Sequence, residues 1–179
     1  EQARFQRGTA ESRHNLGIVF REQGELARAI EVATQAVGDA ERLGDRQLAA
    51  QATAGVAEIH VARGESELAK QQVERALAVH RELKDPVREA EDLRILAGAV
   101  ALSGGTQDAV AMLRDVIDRA TQHGRPMLLA SAERDFARLL IATGDVTSGK
   151  AAAQRARAIF QRLSARAETD KLDALLEAP

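Results

Sequence analysis

The chain has 179 residues, 45% of them hydrophobic and 29% charged, with a net charge of −2 and no cysteine. That balance suits a folded, water-compatible protein and argues against disorder. It excludes disulfides and Cys-ligated zinc, suggests no concentrated basic surface for nucleic acid, and includes no apolar run near the roughly 20 residues that cross a bilayer.

The sequence starts at Glu1 with no signal-peptide pattern, and the expectation is a piece of a longer, cytoplasmic protein. Glu1 to Gly8 aligns with the end of a preceding second helix, which leaves the N-terminal end open. From there a 40-residue period runs through the chain. Gly24, Gly64, Gly104 and Gly144 follow it, as do Ala10, Ala50, Ala90 and Ala130. Leu16, Val56, Leu96 and Phe136 form a third series, and Pro86 and Pro126 a fourth. Agreement across series of different residue types marks a repeat array.

Each unit reads as two helices, with units at about 6–45, 46–85, 86–125 and 126–165. In the second, the first helix spans Arg46 to Arg63 and stops at Gly64, which takes positive φ without a Cβ penalty. The second helix spans Glu67 to Leu83, with Leu68, Val73, Ala76, Leu77 and Val79 as its apolar face. Asp85 caps the next helix, where Pro86 fits the first turn, and Asp45 is the equivalent cap. A capping helix over about 166–177 closes the array: Leu172, Leu175 and Leu176 cover the fourth pair, while Lys171 and Asp173 face water.

These residues carry a family resemblance. Leu16-Gly17, Phe20, Gly24, Ala29 and Ala36 are similar to the tetratricopeptide repeat (TPR), and so are Val56-Ala57, His60, Gly64, Ala69 and Ala76. Leu96-Ala97, Val100, Gly104, Ala109 and Val116 continue the pattern, followed by Phe136-Ala137, Leu140, Gly144, Gly149 and Ala156. Small residues let two helices cross closely while large ones fill the gap to the next pair. The 40-residue period exceeds the family's 34 and resembles helical repeats of bacterial regulators and signalling ATPases. The family's tryptophan is absent, with Arg13, Thr53, Leu93 and Glu133 in its places. The resemblance implies an all-α, right-handed α-solenoid of four antiparallel helix pairs plus the capping helix.

The resemblance also implies a protein–protein interaction module with a concave groove lined by first helices. Candidate groove residues are His14, Val61, Arg94, Leu102, Arg134, Arg138 and Ile141. Arg134 and Arg138 stand four apart on one helix face, and Arg94 holds the place of Arg134 one unit earlier. The expected partner is a peptide or protein, acidic and partly apolar, with neither nucleic acid nor membrane. The alternative is a regulatory or oligomerisation domain packing on a neighbouring domain or a second copy, as a homodimer. The charged residues around these arginines equally fit a solvated face. The aligned positions Ile18, Gly55, Glu91 and Ile95 do not match the carboxylate-binding set of the chaperone-binding members.

No catalytic, metal or cofactor site is expected, and no enzyme activity. Gly144 to Lys150 matches a phosphate-binding loop except that Ala151 stands where a Ser or Thr must hold Mg²⁺, and a helix precedes it instead of a strand. His14, His60, His80 and His123 lack metal-ligand spacing, and His60 occupies a bulky core place.

Overall fold

A computed structural model describes the backbone of residues 2–177 and the side chains of residues 5–177. Two compact units result, Glu1–Ser103 and Gly104–Pro179. The first holds α1 (Gln2–Glu22), α2 (Leu26–Arg42), α3 (Arg46–Ala62), α4 (Ser66–Glu82) and α5 (Pro86–Leu102). The second holds α6 (Thr106–Gln122), α7 (Pro126–Ala142), α8 (Val146–Arg162) and α9 (Arg166–Glu177). Among the described residues there is no strand. The all-α repeat architecture expected from the sequence is what the chain adopts.

The helices from α2 to α8 are all 17 residues long, and each starts 20 residues after the last. The turns within and between pairs therefore share one form. Gly44 and Gly124 take positive φ just as Gly24, Gly64, Gly104 and Gly144 do, so the 40-residue period is two 20-residue steps. Lys84 (φ 54°) and Ser164 (φ 58°) hold the same left-handed place without glycine. In several turns the next amide returns five residues, as from Glu25 to Phe20 (2.9 Å) and from Asp85 to His80 (3.0 Å). This bond closes those helix ends in the manner of a Schellman motif. Asp45, Asp85 and Asp145 then cap the following helices, accepting from Leu48, Arg88 and Ser148 amides.

Small residues close the crossings. Ala10, Ala50, Ala90 and Ala130 are buried, as are Ala29, Ala69, Ala109 and Gly149. Of the missing tryptophan places, Leu93 joins the core, and buried Thr53 turns its hydroxyl onto the Ala49 carbonyl at 2.8 Å. Arg13 pairs with Asp39 of α2. Glu133 is buried and accepts two bonds from Arg155, at 2.7 and 2.8 Å. Charge thus enters these places only with a partner, as burial demands.

Two expectations are corrected. Residues 2–8 are not the end of a preceding helix but the first two turns of α1; Glu1 lies outside the described residues. Arg4 and Phe5 stand where Gly44 and Asp45 stand one unit on, so neither a left-handed residue nor an acidic cap is present to make the turn. In α9, Leu172 is buried and Leu175 and Leu176 are half-buried, as expected. Asp173, however, pairs with Arg157 of α8, and Lys171 donates to Glu168 at 2.8 Å.

Candidate functional site

In the first unit the first helices form a layer, α1 against α3 and α3 against α5. Two glycines set its spacing. A Cβ on Gly55 would lie 3.1 Å from Cε1 of His14, and one on Gly98 would lie 3.2 Å from Cγ1 of Val61. Across this layer runs an ion bridge: Arg21 of α1 and Arg94 of α5 both pair with Glu58 of α3. Burial alone would push the Glu58 carboxyl upward, but Arg94 and Arg21 overcome it and hold the pKa at about 2. Arg88 donates to Glu91 at 2.6 Å.

His14, a candidate contact residue, is buried in this layer. Its Nε2 lies 3.4 Å from Gln51, and its Nδ1 has no hydrogen-bond partner among the described residues. Burial first, then the Arg88 charge, pushes its pKa down, so it stays neutral near pH 7. A cavity of about 10 Å³, with room for roughly one water, is lined by His14, Gly17, Ile18, Arg21, Gly55 and Ile59 among others. Val61 is half-buried against Gly98, whereas Leu102 and Ile18 are exposed.

In the second unit Arg134 pairs with Glu168 of α9 and, at 2.9 Å, with Asp135. Arg138 is exposed. Ile141 turns towards the α7–α8 crossing, where a Cβ on Gly149 would lie only 2.5 Å from its Cγ1. The expected groove residues therefore divide. Leu102 and Arg138 are open to a partner, Arg94 and Arg134 carry carboxylates of their own chain, and His14, Val61 and Ile141 serve packing.

The phosphate-loop look-alike is a repeat turn: Gly144 ends α7 at φ 93°, Asp145 caps α8, and Gly149 is buried in the crossing. His60 Nδ1 donates to the Glu65 carboxylate at 2.6 Å. Among the described residues no three His, Asp or Glu converge as a metal site, and no helix is long and apolar enough to cross a membrane.

Sequence reasoning missed one buried polar pair. His80 of α4 and Asp92 of α5, both almost fully buried, meet at 2.6 Å. Burial pushes the Asp92 pKa up, and the bond to His80 opposes that. The signal was available: His80 replaces Ala40, Ala120 and Phe160 of the other units, and Asp92 replaces Ala52 and Ala132. Two polar residues break an apolar pattern within one repeat because each satisfies the other.

Neither a protein-family profile nor a curated protein sequence matches the chain. Solved structures do match its fold. A Rap protein complexed with competence and sporulation factor is 19% identical, with a TM-score of 0.77 over 86% of this chain and 43% of its own. Aspartyl phosphate phosphatase F from Bacillus subtilis is 15% identical, with a TM-score of 0.71 over 95% of this chain and 46% of its own. A Podosopora anserina kinesin light chain with nearly identical TPR-like repeats is 18% identical, with a TM-score of 0.64 over 95% and 94%. The chain spans less than half the length of the first two.

Proposed function

This fold is that of TPR-like repeat proteins, and we propose that the chain works as a non-catalytic protein-interaction module binding a peptide or partner domain on its first-helix faces. The first unit supports this reading best: three adjacent first helices, fixed by the Arg21–Glu58–Arg94 bridge, leave Ile18 and Leu102 exposed. A preformed layer costs little ordering on binding. The similar Rap protein, seen in complex with a factor, fits the same use of the fold.

The ion pairs change the expected chemistry of the partner. Arg94 and Arg134 already hold Glu58 and Glu168, so a ligand carboxylate would compete with half-buried partners. An exposed ion pair is worth only about 0.2–1 kcal/mol, whereas micromolar binding needs about 8 kcal/mol. The partner is therefore read as predominantly apolar, with acidic residues secondary.

A peptide selected against the chain from a random display library provides the probe. Ile18→Glu and Leu102→Glu are expected to weaken its binding at least about tenfold, each with an unchanged unfolding midpoint. Unchanged affinity in both variants removes this surface from the account.

A further inference from the structure

His14 and Gly55 leave the repeat pattern at one contact. The place of His14 holds Ala54, Arg94 and Arg134 in the later first helices, and the place of Gly55 holds Asn15, Ile95 and Asp135. The two departures fit each other. A Cβ on Gly55 would lie 3.1 Å from Cε1 and 3.3 Å from Nδ1 of the ring, so the imidazole of α1 fills the space that a side chain on α3 would take. The residue is 7% exposed, with Gln51 3.4 Å from Nε2 and no partner for Nδ1 among the described residues.

A neutral ring suits this place and a charged one does not. Protonation makes both ring nitrogens donors, and the cavity beside the ring, about 10 Å³, holds roughly one water. One water does not replace the hydration that a buried charge gives up. The two carboxylates that act on the ring are engaged elsewhere: Glu58 of α3 pairs with Arg21 and Arg94, and Glu91 of α5 with Arg88. From α2 the cavity receives Ala33.

We propose that His14 makes the α1–α3 contact proton-sensitive: the neutral ring wedges between the two helices, and a proton on the ring loosens them. Burial, followed by the Arg88 charge, holds the His14 pKa below its ordinary 6.5; Glu58 and Glu91 oppose the fall and Arg21 adds to it. The unfolded chain therefore takes up this proton before the folded one as pH falls. The contact is fully supported above pH 6.5 and weakens as pH drops from there through the folded pKa. Glu58, with its pKa at about 2, keeps its charge throughout, so the ion bridge does not titrate with the wedge. This sensitivity belongs to the layer itself and operates whether or not a partner binds there.

An NMR titration of the 179-residue chain between pH ~5 and pH ~8, following the His14 ring directly, tests the proposal. The ring should titrate below 6.5. Between pH ~7 and pH ~5, amide protection across α1 should fall at least about threefold more in the parent chain than in His14→Gln. A ring that titrates at or above 6.5, or protection lost equally in both chains, overturns the proposal. Arg88→Gln gives a second reading if His14→Gln folds poorly, because it removes a repelling charge and frees Glu91. The His14 titration should then move up; an unmoved titration overturns the proposal as well.

Discussion

The helix pair α3–α4 in the first unit and the pair α7–α8 in the second carry different residues at two matching repeat places. In α3–α4 the two repeat places hold Val61 and Ala69; in α7–α8 they hold Ile141 and Gly149. The larger residue comes with the smaller one. A Cβ on Gly149 would meet Ile141 Cγ1 at 2.5 Å and the Ala137 carbonyl at 3.0 Å, so the alanine of the first unit does not fit the second unchanged. Dense packing thus ties the size of one residue to that of its neighbour at α7–α8, while other units fill these places differently, Ala101 with Ala109 and Arg21 with Ala29.

Polar wiring follows the same logic. Arg94 and Arg134 share a repeat place, yet Arg94 reaches back to Glu58 of α3 and Arg134 reaches forward to Glu168 of α9. The guanidinium is matched in both units, by carboxylates from different places in the pattern. The largest expected effect concerns this difference. Glu58 has its folded pKa lowered to about 2, so its contribution is full above the ordinary pKa of about 4.5 and is lost as pH falls towards 2. The difference in urea-unfolding free energy between the parent chain and Glu58→Gln should shrink by about 3 kcal/mol between pH ~5 and pH ~2. A difference independent of pH would show that the double bridge adds nothing.

Next in size is Gly149→Ala, which writes the first unit's residue into the second. It should cost about 1–3 kcal/mol through overpacking, read as a lower denaturant midpoint. The turns provide the smallest effect. Lys84 occupies a left-handed place that glycine holds at Gly44 and Gly124, so Lys84→Gly should stabilise the first unit by about 1 kcal/mol, seen as slower local amide exchange in α4 and α5. No change there would mean Lys84 makes up its strain elsewhere.

Much of the frame was legible because turn and packing signals are local. Gly24, Gly64, Gly104 and Gly144 end helices where their spacing predicts, and Asp45 and Asp85 cap the next ones. The start of α1 was misread because alignment carries a turn onto residues that cannot make one: Arg4 and Phe5 replace Gly and Asp. The surface was less legible still. A repeat position states which way a side chain leaves its helix, but not which charge waits across the gap. Glu58 lies 36 residues before Arg94 and Glu168 lies 34 after Arg134, so no single spacing finds both. Ile141 looked like a groove residue because only the neighbouring glycine shows that it packs inward.

Whether side chains like Ile141 belong to the fold or to a binding face turns on that crossing. A double-mutant cycle of Gly149→Ala with Ile141→Val, which installs the α3–α4 pair in α7–α8, measures it in denaturant unfolding. Compensation predicts that the double variant recovers most of the loss, with a coupling of about 1 kcal/mol or more. Additive effects within about 0.3–0.5 kcal/mol would contradict it, and would return Ile141 to the open surface.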